Sequence, residues 1–155
     1  MNSIFLKIDG INGESQDSSH QGWTDANSYS WGVRRNGEGV GPGKTNYHNL
    51  TVHCQVDKTT APALLYASNG NKIRKVELSA CKAGGEQVEY YRVTLEGVII
   101  SEVLLRDMGM STDVEYEFQA DKVKFQYWEQ SASGIKAAES RMVNRHGFNR
   151  HLGVI

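Results

Sequence analysis

EYYRVTLEGVIISEVLL, residues 89–105, is the longest apolar-rich run in the chain, and its period is two. Tyr91, Val93 and Leu95 alternate with Arg92, Thr94 and Glu96. Such alternation sends successive side chains to opposite faces of a strand, one inward and one toward water. The same pattern spreads outward from this run. Upstream, Val76, Leu78 and Ala80 share a parity, as do Leu50, Val52, Cys54 and Val56, with Thr51, His53 and Gln55 opposite. Tyr29, Trp31 and Val33 are expected on one face, with Ser28, Ser30 and Gly32 on the other. Near the N-terminus Ile4, Leu6 and Ile8 alternate with Phe5 and Lys7. Downstream, Val114, Tyr116 and Phe118 hold one parity while Val123, Phe125 and Tyr127 hold the other, which predicts a bulge or turn at Ala120, Asp121 and Lys122.

One segment breaks the alternation. Residues 61–68 follow Thr59 and Thr60 as candidate N-caps, carry Pro62 in the first turn, and stop at Asn69 and Gly70. They predict a helix of about two turns. Residues 134–145 have mild helical character without a clean apolar stripe, and no element is assigned to them. Sixteen glycines and two prolines suit tight turns between strands. The expected fold class is all-β: a small barrel formed by two sheets, with one short flanking helix and an extended glycine-rich loop. With 155 residues and no linker or repeat, residues 1–155 read as a single domain.

Charge narrows the partners. Seventeen basic against eighteen acidic residues leave a net charge of -1, which predicts no pull toward nucleic acid or an anionic membrane. The opening MNSIFLKIDGING has an apolar patch broken by Lys7 and Asp9, so neither a signal peptide nor membrane insertion is expected, and the chain is expected to begin in the cytoplasm.

GEGVGPGKT, residues 37–45, ends as a phosphate-binding loop does. The motif needs glycine five places before Gly43, where Glu38 stands, and it needs a helix behind it. TNYHNLTVHCQV follows instead, which is a strand pattern, so no helix N-terminus faces an anion. The alternative is a long glycine loop over residues 34–46, and loops of that length in compact domains usually reach toward something.

Other chemistry is sparse. His48 and His53 lie five apart, as do His146 and His151, so neither pair shares a strand face to hold a metal; these four and His20 read as surface or hydrogen-bonded histidines. Cys54 and Cys81 sit in strand patterns without CxxC spacing and are expected as buried thiols, free of disulfide or zinc. Asp107 and Asp113 flank a probable turn, and the sequon at Asn49 is expected to be chance. No catalytic residue, metal ligand or cofactor-binding residue is predicted, and the chain is not read as an enzyme.

IFLKIDGINGESQDSSH (4–20), SYSWGV (28–33), GKTNYHNLTV (43–52), VDKTTAPALLYASNGNKI (56–73) and CKAGGEQVEYYRVTLEGVIIS (81–101) resemble, in this order, the Hcp family, the tube proteins of bacterial type VI secretion. VEYEFQADKVKFQYWE (114–129) extends the resemblance, and residues 130–155 depart from it. The resemblance implies a structural protein: homohexameric rings stack into a tube that a contractile sheath ejects behind a spike protein, with small effectors held in the lumen. It implies secretion without a signal peptide. It also implies that the loop over residues 34–46 reaches the neighbouring ring, with Arg34, Arg35, Glu38 and Lys44 as pairing residues. Ser28 and Ser30 are the candidate lumen lining. About 26 residues after Glu129 are too few for a fused toxin domain. The competing expectation is a monomeric β-barrel that binds a small ligand or peptide.

Overall fold

A computed structural model describes residues 2–36, 44–82, 88–130 and 136–145. In chain order the elements are β1 (Asn2–Ile8), β2 (Thr24–Ser30), β3 (Val33–Asn36), β4 (Lys44–Tyr47), β5 (Leu50–Gln55), α1 (Thr60–Asn69), β6 (Ile73–Lys82), β7 (Val88–Asp107), β8 (Thr112–Gln130) and β9 (Lys136–Arg145). The seven-stranded sheet runs β5-β2-β1-β6-β7-β8-β9, and an additional β5–β8 pairing closes it into a barrel with β9 outside the closure. The second sheet is the β3–β4 ribbon. All pairings are antiparallel.

The long alternating run forms the first part of a hairpin, β7 of 20 residues against β8 of 19. Strands this long serve two neighbours in succession, because a typical strand spans only about five or six residues. The first half of β7 pairs with β6, and the first half of β8 pairs with β5. Their apolar rows meet inside the barrel, where Leu6, Leu50, Val52, Leu78, Val93, Leu95, Val98, Ile100, Val114, Tyr116 and Phe118 are all essentially inaccessible to solvent. Burial of these side chains, at roughly 1.5–3 kcal/mol each, is the main stabilising term. Tyr116 hides its hydroxyl by bonding Thr60 Oγ1 at 2.8 Å.

The parity slip in β8 is present, but the strand does not break there. Glu96 faces Lys122 and Val98 faces Ala120, so the register is the same on both sides. Both strands change face together at Gly97 and Asp121. Gly97 has φ +61, and a Cβ on it would lie 2.5 Å from Asp121 Oδ2. The register break falls instead on β7, between Ile100 and Glu102.

β1 and β6 are buried on both faces, which period two alone does not predict. Residues 11–23 fold over their outer face. His20 stacks on Phe5 at 4.0 Å and meets Trp23 edge-on at 4.9 Å. Its Nδ1 lies 2.6 Å from Asp17 Oδ2 and its Nε2 lies 3.1 Å from Ser79 Oγ. Asp17, His20 and Ser79 thus spell a hydrolase relay, yet Ser79 is fully buried and its hydroxyl donates to Glu89 Oε2 at 2.7 Å. Glu89 also accepts from Arg92 Nε at 2.7 Å. With its proton committed and no access for a substrate, Ser79 is a brace and not a nucleophile.

Helix α1 spans Thr60–Asn69 and ends at Gly70 in the left-handed region, φ +69. Thr59 occupies the N-cap position but does not cap with its side chain, since its hydroxyl bonds Thr24 Oγ1 at 2.7 Å. Just before the helix, Asp57 Oδ1 accepts from Thr59 N–H at 2.8 Å. Residues 136–145, unassigned from sequence, form β9 along the second half of β8, where Met142 packs partly buried against the core.

Candidate functional site

Period two and cross-strand register together build an outward wall on β2, β5, β8 and the second half of β7. One row runs Ser30, Thr51, Glu117, Glu102 and the next Ser28, His53, Glu115, Leu104. A third, Gln55, Asp113, Arg106, completes it. Ser28 and Ser30 are exposed and share this face, as their spacing requires. A register shift in β2 between Ala26 and Ser28 puts both serines in line with the acidic residues of β8.

The wall is internally bonded. Gln55 Nε2 donates to Asp113 Oδ1 at 2.8 Å, and His53 Nε2 lies 3.5 Å from Glu115 Oε1. Glu117 Oε1 accepts from Ser101 Oγ at 2.7 Å and from Asn49 Nδ2 at 3.2 Å. Glu102 has no cation opposite it in its row. Partial loss of water raises its carboxyl above the ordinary range, and its hydrogen bond to Glu115 and repulsion from Glu117 and Glu115 push the same way. Two shallow hollows open on this side. One of about 310 Å³ lies among Ser28, His53, Leu104 and Glu115, and one of about 380 Å³ lies among Ser30, Trp31, Val33 and His48.

The ends of the barrel differ. β5 runs from Leu50, opposite Phe118, to Gln55, opposite Asp113. The β3–β4 ribbon leaves at the Leu50 end, tied by His48 N–H to Gly32 O at 2.8 Å. What reads as loop at its base is therefore strand: Arg34 faces Asn46, Arg35 faces Thr45 and Asn36 faces Lys44. Arg34 and Arg35, adjacent and exposed, point to opposite faces of the ribbon. Lys44 sits on β4, and Glu38 lies outside the described residues. Val33, expected to share a face with Tyr29 and Trp31, is 56% exposed, because β2 stops at Ser30 and Val33 opens the separate β3–β4 ribbon. Trp31 stacks between Tyr47 and Phe125 at this end, with centroids 6.1 and 6.4 Å away. Lys44 and Thr45 lead into β5 and not into a helix, which removes the scaffold a phosphate loop needs.

At the Gln55 end the β7–β8 hairpin turns through Met108, Gly109 and Met110. Gly109 has φ +85, and its N–H donates to Asp107 Oδ1 at 2.7 Å. Among the described residues no three His, Cys, Asp or Glu side chains gather as a metal site, and no helix is long and apolar enough to cross a membrane. Sequence parity makes Ser28, Ser30, Glu115 and Glu117 legible as outward residues, but their assembly into rows with Glu102 and His53 depends on register, which the chain does not spell.

The chain matches known proteins over most of its length. The family described as "Type VI secretion system effector, Hcp" matches residues 5–132. Protein hcp1 of Pseudomonas aeruginosa is 34% identical over 143 residues, which cover 86% of this chain and 87% of that protein. The crystal structure of Hcp1 from Salmonella typhimurium superposes with a TM-score of 0.82 at 23% identity, over 99% of both chains. A structure described as a type six secretion system protein superposes at 0.86 with 19% identity, over 94% of this chain and 96% of that one.

Proposed function

We propose, from the premise that this chain belongs to the Hcp family of type VI secretion system proteins, that it forms hexameric rings whose stack is the inner tube of the machine. Made in the cytoplasm, it leaves the cell with the tube when the sheath contracts behind the spike protein. The wall of Ser28, Ser30, Thr51, His53, Glu115 and Glu117 is the observation that carries this reading. A polar, outward sheet face suits a water-filled lumen in which small effector proteins travel. The ribbon carrying Arg34, Arg35 and Lys44 projects from one barrel end, where it supplies contacts to the next ring, with Glu38 in the same segment.

A structural role fits a family of secretion-system proteins and needs no reacting group. The competing reading, a monomeric ligand-binding barrel, requires room inside, and Tyr116, Phe118, Leu78 and Leu95 already fill that space. Head-to-tail contacts can close into a ring and stack without end, so one surface set on one chain is enough.

The test is the mass of the purified protein by size exclusion with light scattering, followed by negative-stain imaging. Rings of about six times 17.3 kDa with a central hole are expected. A monomer at all concentrations overturns the reading. In rings that form, Ser30→Arg should abolish effector retention without changing the mass, and Arg35→Ala with Lys44→Ala should shorten tubes. Retention by Ser30→Arg removes the serines from the lumen.

A further inference from the structure

His20 is the buried side chain that pins residues 11–23 over the outer face of β1 and β6. Its hydrogen-bond partners leave one arrangement of protons. Ser79 Oγ has a single proton, which it gives to Glu89 Oε2 at 2.7 Å. Glu89 Oε2 also receives the Arg92 Nε–H at 2.7 Å, so it is a carboxylate that accepts both. Ser79 Oγ is therefore an acceptor toward His20 Nε2, 3.1 Å away, and Nε2 must carry the proton between them. On the other side Asp17 Oδ2 accepts the Ser19 N–H at 3.2 Å and lies 2.6 Å from His20 Nδ1, which must donate too. Both ring nitrogens donate together only in an imidazolium.

The surroundings suit a cation. The ring lies flat on Phe5, with centroids 4.0 Å apart and planes 8° from parallel, so positive charge sits over a π face. Charge alternates along the chain of contacts: Asp17, His20, Glu89 on β7, Arg92, and then Glu77 on β6, bonded by Arg92 Nη1 at 2.8 Å. Lys75 lies 3.5 Å from Glu77. Lys7, next along this face of β1, donates to Ile11 O, Asn12 Oδ1 and Gly22 O. The Cys81 thiol of β6 lies 4.0 Å from Nε2.

We propose that His20 is a proton-operated latch. Protonated, it holds residues 11–23 on the barrel; neutral, it releases them and uncovers Phe5 and Ser79. A neutral imidazole donates from one nitrogen only, so either Asp17 or Ser79 then faces a lone pair. A contact made by the protonated form is complete at low pH and is lost as pH rises through the titration of the ring. The latch is independent of the tube reading, since every group in it belongs to one chain.

Hydrogen exchange of the full-length protein in its native assembly, corrected for intrinsic rates, reads the cover directly. The reporters are the Gly13 and Ser15 amides, bonded to Gly22 O and Trp23 O at 2.8 Å each. Between about pH 6 and pH 9, a range that spans imidazole titration, their protection should fall about tenfold or more, the worth of one charge-assisted bond. The Val93 amide of the barrel interior should keep its protection. His20→Gln can donate but cannot gain a proton, so its cover should be equally protected at both ends of the range. Asp17→Asn removes the neighbouring anion and should move the loss to lower pH. Flat protection in the unmodified protein overturns the latch, as does a loss that persists in His20→Gln. A fall shared by Val93 is global loosening and overturns it as well. Should His20→Gln fail to fold, the direction of the Asp17→Asn shift decides.

Discussion

Replacing Gly13 by alanine should cost far more than replacing Gly10, although both are glycines of one short segment. Gly10 has φ +83 and nothing within 4 Å of an added Cβ, so Gly10→Ala carries only the left-handed backbone cost, about 1–2 kcal/mol. An added Cβ at Gly13 meets Thr24 Oγ1 and lies 2.5 Å from Trp23 O and 2.7 Å from Trp23 C. Backbone atoms cannot rotate away. Overpacking of this kind costs about 1–3 kcal/mol. Relief would stretch Gly13 N–H to Gly22 O and Ser15 N–H to Trp23 O, both 2.8 Å, at about 1 kcal/mol each. A total of about 3–5 kcal/mol follows, which in a chain of this size lowers the melting temperature by about 6–20 °C. Thermal and urea unfolding of both variants at one protomer concentration provide the measurement, since assembly makes stability concentration-dependent. If Gly13→Ala melts no lower than Gly10→Ala, the close approach of residues 13 and 23 is not what holds the segment over β1 and β6.

Ser79→Ala removes a fully buried donor to the Glu89 carboxylate and should lower the urea-derived stability by about 2 kcal/mol; an unchanged midpoint would refute the brace. Burial, then Asp57 and Asp25, push the Cys54 thiol up to about 12, so a thiol reagent at neutral pH should leave Cys54 unlabelled until the protein unfolds. Glu102 is held above its ordinary range, so it penalises the fold once ionised and ceases to do so below the unfolded-chain value. Glu102→Gln should therefore stabilise the protein at neutral pH, with the gain vanishing near roughly pH 4; a pH-independent difference would refute the carboxylate contact.

Much of the barrel was legible in period two, because each strand has one face on a dry interior. That is why Val52, Leu78, Val93 and Tyr116 are inward as expected. The rule failed where a second layer intervened. Phe5 and Ser79 fall on the parity opposite the barrel interior, yet they are buried beneath residues 11–23, a cover created by contacts distant in sequence. It failed again at β9, whose strand character comes from pairing with β8 and not from its own pattern. Of the candidate wall, the parity of Ser28 and Ser30 was readable, while the acidic neighbours of these serines came from register shifts that no local pattern encodes. Thr59 had the right identity for a helix cap, but tertiary contact with Thr24 claimed its hydroxyl.

The joint change of face at Gly97 and Asp121 limits how related chains can change length. A residue inserted or lost in β7 alone between Leu95 and Gly97, with no bulge to absorb it, would turn Val93 and Leu95 outward against an unmoved β8. A matched change in both strands, or a bulge such as the one between Ile100 and Glu102, preserves the inward rows. Length variation among descendants of this barrel is therefore expected to come in compensating pairs across this hairpin, to be absorbed by a bulge, or to be displaced to its turn.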